Sequence, residues 1–335
     1  MAALTLADMY LLSPYQLEQG IIKTLQEESQ LADTLSFENI QALTVQTYRS
    51  GKLAPVAWRK INEPFGSAIQ GKPEPVQAGI FSFGNTIDVD YLVRDDKTPK
   101  IVDPMAQQVD DTITTMARQF NDAWVNNEPT KDPQAITGVR WMINNEFPGQ
   151  KICANPAGNA VLDLTPSGAN YATNISIFFL QLDKAIDAID GRRPNFAVCN
   201  RTFLTHFKAL LRDSGYLKVT EDSIGREFLD YNGVKFIDAG NTYEDMDSSG
   251  VDIPVIGNKE LYNGTVDDTY GTSTSVIFVR QDKQHYQPWQ YAPLQAKHIG
   301  ELDDGVMDRT IVKWDVGHIV THKRSLSWLT GLKFE

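Results

Sequence analysis

The stretch from Asp103 to Asn127 constrains the chain most, because it reads as a long helix with one apolar stripe. Asp103 can cap the free N–H groups, and Pro104 takes the first helical position, where its missing donor costs nothing. Val109, Ile113, Met116, Phe120 and Trp124 recur at helical spacing on one face, while Gln107, Asp111, Thr115, Arg118 and Asp122 make a water-compatible side. A stripe of this kind needs a layer to pack on. The C-terminal strands between Thr310 and Leu329, which have no other evident cover, are the expected one.

What precedes the helix has a different character. The first 36 residues suggest an amphipathic helical strip carrying Leu17, Ile21, Ile22, Leu25 and Leu31, with Ser13-Pro14 as a start and Gly20 as a weak point. Such a strip packs on its own domain or on a neighbouring subunit, and the sequence leaves both open. Leu43–Arg49, Gly79–Gly84 and Thr86–Val93 then alternate apolar and polar residues with the period of half-buried strands. Between them, Ser50–Gln77 is rich in Gly and Pro yet carries Trp58, Ile61, Phe65 and Ile69. A connection this long is uncommon inside a compact domain, so an extended arm that finds its packing on another chain is expected.

Downstream, helices are expected at Asn174–Asp190, capped by Thr173 or Asn174 and stopped by Gly191, and at Thr202–Arg212, closed by Gly215. Short strands are expected at Phe196–Cys199, Val234–Asp238, Ile253–Ile256 and Ser275–Arg280, and a β-rich C-terminus at Thr310–Val316 and Ile319–Leu329. The polar, acidic loops Gly240–Gly250 and Gly257–Ser273 are expected on the surface.

The chemistry is sparse. With 43 acidic and 31 basic residues the formal charge is −12, which disfavours a tight grip on nucleic acid but allows a chain that encloses it. Cys153 and Cys199, the two cysteines, have no metal or redox spacing, and Cys199 lies in an apolar strand where a thiol is inert. His318 and His322 would sit roughly 13 Å apart along a strand, too far for one metal ion. The pairs Asp110-Asp111, Asp267-Asp268 and Asp303-Asp304 lack the spaced ligands of a calcium loop and read as solvated carboxylates. No phosphate-cradling glycine loop, nucleophile elbow or zinc-protease helix occurs. Neither a signal peptide nor a membrane-length apolar run is present, so a soluble, intracellularly made chain is expected, with no cofactor and no metal.

The order of these elements resembles the tailed-phage major capsid proteins with the HK97-type fold, a fold shared with encapsulin shells. The resemblance rests on the arm from Leu4 to Leu35, the long β-loop from Val45 to Val93, and the helix Asp103–Asn127 in the place of the family's spine. Phe120-Asn-Asp-Ala-Trp124 leading to Ile136-Thr-Gly138-Val139 is similar to the step that ends that spine. Pro194–Asn200 with Phe203–Leu211 resembles the strand-then-helix pair of the axial domain, and Leu229–Ile237 and Ser275–Arg280 its next steps. What this implies is an α+β chain with an N-terminal arm (1–42), an extended β-loop (43–95), a peripheral domain with the spine helix (96–145 and 301–335) and an α/β axial domain (146–300).

The resemblance further implies a non-enzymatic subunit that assembles with copies of itself, as pentamers and hexamers, into an icosahedral shell around double-stranded DNA. The expected location is the virion capsid, assembled in the bacterial host cytoplasm, with separate scaffolding, portal and decoration proteins as possible partners and no membrane contact. Leu17, Ile21, Leu25, Trp58, Ile61, Phe65 and Ile69 are the candidate inter-subunit contacts. Some relatives cross-link Lys to Asn between subunits. Lys52, Lys60 and Lys72 lie in the loop, but no matching Asn and acid stand out, and they read as ordinary solvated lysines. An encapsulin-type compartment shell is the alternative, and an intracellular α/β enzyme with an unrecognised site is the second.

Overall fold

The computed structural model describes residues 23–52, 54–64, 70–90, 92–93, 104–168, 170–191, 193–221, 227–243, 252–267, 269–302 and 306–334. The expected cap Asp103 and the greater part of the N-terminal arm lie outside them. The long helix α2 (Pro104–Asn126) follows a short helix, α1 (Gln30–Thr34), and a helical turn over 23–28. The expected stripe is the buried face: Val109, Ile113, Met116, Phe120 and Trp124 are all buried, joined by Ala117 and Val125. Each such side chain contributes roughly 1.5–3 kcal/mol on leaving water.

The helix lies on a four-stranded sheet ordered β1 (Glu38–Asn39), β12 (Tyr286–Glu301), β13 (Met307–Val320) and β4 (Phe81–Asp90). Phe120 meets Trp314 at 5.1 Å between ring centroids, and Phe37 closes on the same indole at 5.2 Å. Trp124 Nε1 donates to the Tyr286 hydroxyl at 2.6 Å. The segment before the spine packs on its own chain: Leu25, Leu31, Ala32 and Leu35 are buried in this core, and Ser29 Oγ donates to Asn121 Oδ1 at 2.7 Å.

The second layer is a larger sheet. Its order is β5 (Lys151–Cys153), β14 (Leu326–Lys333), β11 (Thr274–Val279), β7 (Phe196–Cys199), β10 (Val234–Asp238), β9 (Glu227–Tyr231) and β8 (Lys218–Glu221), with β6 (Leu162–Asp163) also on β14. Helices α4 (Tyr171–Asp187) and α5 (Arg201–Asp213) cover one face through Phe178, Phe203 and Phe207, the last two packing on Phe236 of β10. Asn200 caps α5, its side chain accepting from Phe203 N. Helix α4 begins earlier than expected. Asn170 is its N-cap residue, while the Asn174 amide donates to the Asp163 carbonyl at 2.7 Å.

Several expectations are corrected by strand pairing. Thr310–Leu329 is not one unit: β13 stays under the spine, whereas β14 crosses to the large sheet, where it lies second from one end, between β11 and β5. Likewise Phe81–Asp90 pairs with β13 along its whole length and is not part of the extended loop. The limits expected at 95 and at 300/301 therefore do not follow the sheets. Periodicity reports which face of a strand is buried, not which sheet receives it. Ile253–Ile256 forms only an isolated bridge between Pro254 and Asn241. The loop 257–273 is not wholly a surface feature, since Glu260 and Ser273 are buried and exchange both backbone hydrogen bonds.

Two glycines make close approaches possible. Gly138 sits against the end of the spine, where a Cβ would lie 2.6 Å from backbone atoms of Asn127. Its N–H donates to the Asn127 carbonyl at 2.9 Å, which positions helix α3 (Val139–Asn145). Gly264, at φ +79°, packs on the Trp328 ring, where a Cβ would come within 2.4 Å of the indole.

Candidate subunit-contact surfaces

An antiparallel ribbon leaves the body: β2 (Thr44–Lys52) pairs with β3 (Lys72–Gly79) from Thr44↔Gly79 to Lys52↔Lys72. Its base is fixed. Arg49 Nε and Nη2 donate to the Val320 carbonyl at 3.2 and 2.9 Å, and Nη2 also meets Glu146 Oε2 at 3.1 Å. The guanidinium lies 4.7 Å from the centre of the Phe147 ring. Lys323 adds an ion pair with Glu74 at 2.8 Å and holds that carboxyl below its ordinary range. A charge-assisted arginine bonded to a buried carbonyl is worth more than a typical hydrogen bond, so the ribbon starts from a defined point.

Beyond the base nothing in the described chain covers the arm. Trp58 is 103% exposed and Ile61 92% exposed. Together they leave an apolar surface in solvent at the far end of the ribbon. Of the expected contact residues, then, Trp58 and Ile61 are presented to solvent. Leu25 is instead buried in its own chain's core, because the helical turn over 23–28 folds back beside the spine. Leu17, Ile21, Phe65 and Ile69 lie outside the described residues.

A groove of about 520 Å³ opens at the foot of the ribbon. Phe81 and Phe83 at the start of β4 and Ala123 on the spine form its apolar wall, with Asp122, Glu128 and Asp132 among the polar residues around it. A second, wider groove of about 930 Å³ is lined by Arg193, Lys235, Asp282 and Gln287 among others, without a histidine or cysteine.

Cys199 and His318 are both buried. Cys199 is buried, its Sγ donating to the Ile237 carbonyl at 3.4 Å, and burial pushes its thiol well up. His318 is buried under the spine against the Tyr286 ring, and desolvation pulls it down to about 4. His322 does not continue that strand. It lies in the turn after β13, with its ring 5.1 Å from that of His285. Among the described residues no group of three or more His, Cys, Asp or Glu could hold a metal ion, and no helix is long and apolar enough to cross a membrane.

The feature that sequence reasoning missed is a buried ion pair. Arg140 on α3 donates to Glu260 Oε1 and, at 2.8 Å, to Ser275 Oγ, while its other terminal nitrogen donates to Asn126 Oδ1 at 3.0 Å. Burial pushes the Glu260 carboxyl up and the Arg140 charge opposes it. Two cations approach the Trp328 ring, Arg140 at 5.3 Å and Lys151 at 4.7 Å from its centre. Sealed in this way, the pair ties the spine's end to the large sheet and offers no open site for chemistry. A lone Arg in a short helix and a lone Glu in an acidic loop carry no signal of their pairing.

No protein-family model matches the chain, and no curated protein matches it. Solved structures do. The chain is similar to the holo-SrpI encapsulin complex from Synechococcus elongatus PCC 7942, with TM-score 0.56, 15% identity, and coverage of 99% of this chain and 97% of that one. It is similar to the capsid of a native GTA particle at TM-score 0.52 and 13% identity, covering 92% of this chain and 90% of that one. A chain of Mycobacterium phage Bobi matches at TM-score 0.51 and 12% identity, over 93% and 91%. These likenesses show the fold, and it is the expected HK97-type α+β capsid fold.

Proposed function

We propose, from the HK97-type fold, that this chain is the major capsid protein of a tailed bacteriophage. Copies assemble through pentamers and hexamers into an icosahedral shell around double-stranded DNA, and the subunit has no catalytic role. The observation that carries the reading is the ribbon, anchored at Arg49 and presenting Trp58 and Ile61 to solvent. An apolar tip held away from its own body is a surface made for a neighbour. The charge of −12 suits a container that does not adsorb its contents, and the buried Cys199 and His318 suit a chain with no chemistry to perform. The peripheral unit would hold the spine and the four-stranded sheet, and the axial unit the large sheet. Scaffolding, portal and decoration proteins would be separate chains, met in the host cytoplasm.

The test is electron microscopy of purified, concentrated protein beside a variant in which residues 53–71 are replaced by a two-residue turn. Arg49 and Glu74 remain, so the variant should stay folded, with an unchanged thermal midpoint, and form no particles. Particles formed by the shortened variant, or a wild type that stays monomeric under every condition, would sink the reading. An encapsulin-type compartment is the second reading, favoured by the likeness to the Synechococcus shell across nearly the whole chain. Native particles that contain a cargo protein and no genome would select it.

A further inference from the structure

The crossing from β13 to β14 is made by the turn 321–325, and two histidines meet beside it. His322 in the turn and His285 in the loop ahead of β12 lie 5.1 Å apart between ring centroids. The turn is fastened on three sides. Thr321 N and Oγ1 both donate to the His285 carbonyl, at 2.7 and 2.8 Å. The Arg324 guanidinium donates to the Ala188 and Asp187 carbonyls at the end of α4, at 2.9 and 3.3 Å, and meets Asp190 Oδ1 at 3.4 Å. The base of the ribbon hangs on the same segment, through the Val320 carbonyl bonded to Arg49 and through Lys323 paired with Glu74.

Charges around the two rings balance only while the rings are neutral. Arg280 and Arg324 are set against Asp190 and Asp282, with Arg280 Nη2 3.7 Å from Asp282 and Nη1 donating to the Asp190 carbonyl. Lys283 pairs with Glu38, and Lys323 with Glu74. His285 is buried, and its Nδ1 has no hydrogen-bond partner among the described residues, Asp282 being 3.8 Å away. Desolvation, then Arg280 and His322, hold this ring below its ordinary range against the pull of Asp282 and Asp190. His322 Nδ1 accepts from the Arg324 N–H at 3.2 Å, so the ring's own proton sits on Nε2, 3.4 Å from Asp190 Oδ2. A further proton has only Nδ1 to go to, where a backbone N–H already points. Donor would then face donor.

We propose that the turn 321–325 is an acid-sensitive latch: protonation of the His285–His322 pair opens it and loosens both the crossing between the sheets and the base of the ribbon. A proton on His322 removes the Arg324 N–H bond, and one on His285 sets a buried charge against its neighbour. The open turn, with both rings in water, binds protons more readily than the closed one, so acid favours opening. The latch is a property of the subunit and does not rest on the shell reading.

Hydrogen exchange of the full chain, followed by mass spectrometry and corrected for the intrinsic pH dependence of amide exchange, tests it. From about pH 7.5 to about pH 5.5, the segment 320–326 should gain about tenfold in corrected exchange, equivalent to one pKa unit of differential proton binding, while the spine segment 109–125 does not. His322→Asn does not titrate, and its Oδ1 can still accept the Arg324 N–H, so it should keep the turn closed at both pH values. His285→Phe keeps a ring in place and should lose most of the gain. Equal exchange at the two pH values in the wild type overturns the latch. So does a gain retained by either variant, or one shared equally by the spine, which marks global opening.

Discussion

At the scale of single residues, the buried polar groups are where substitution should matter most. Arg140 and Glu260 are held out of water together, so removing one leaves an uncompensated charge. Arg140→Met should cost about 3–5 kcal/mol in a denaturant titration of the subunit, whereas Arg140→Met with Glu260→Leu should cost much less. A double variant as unstable as the single one would show that the pair does not act as a unit. His318 gives a pH dependence whose sign is fixed by its burial. Its folded-state value, about 4, lies below the ordinary 6.5, so the unfolded chain binds the proton first as pH falls. Its contribution is intact above about 6.5 and is lost progressively towards pH 4, by up to about 3 kcal/mol. Unfolding curves between pH 7 and pH 4 check this against His318→Phe, which should flatten that part of the slope.

At the scale of elements, the spine was legible and the loop behind it was not. Every residue of the expected stripe is buried, because a period near 3.6 with a polar opposite face has one physical solution. The loop 257–273 looked solvated because its composition is polar, yet it closes over Trp328. The device is Gly264, whose positive φ and missing Cβ let the backbone lie on the indole. Gly264→Ala should displace the loop from Trp328 and expose Glu260, lowering the thermal midpoint by several degrees, with a matching change in tryptophan fluorescence. An unchanged midpoint would mean that the loop adds nothing to the core. The ribbon lies between these cases. Its extended character was legible from alternation and Gly/Pro content, but its anchor was not, since Arg49 bonds a carbonyl 271 positions away.

At the scale of the whole molecule, two sheets share one chain that passes between them more than once. Strand β13 lies under the spine and β14 inside the other sheet, paired on both sides, so the two strands fasten both layers. Truncation before Leu326 should therefore not yield a trimmed but folded subunit. It should remove the strand that joins β5 and β6 to β11 and produce insoluble or protease-sensitive protein, read by limited proteolysis. A soluble, protease-resistant product would show that the large sheet does not need β14.

The sequence by itself determined the class of object: a long one-faced helix, an arm with more apolar surface than its length can bury, and no reactive constellation. Those are local or compositional properties, and periodicity and counting are enough to read them. Only the tertiary structure decided which sheet each terminal strand joins, that Leu25 turns inward while Trp58 and Ile61 stay in solvent, and that Arg140 finds Glu260. Each of these depends on contacts between residues far apart in the chain. The free energy of such a contact resides in the pair, and neither residue carries it alone.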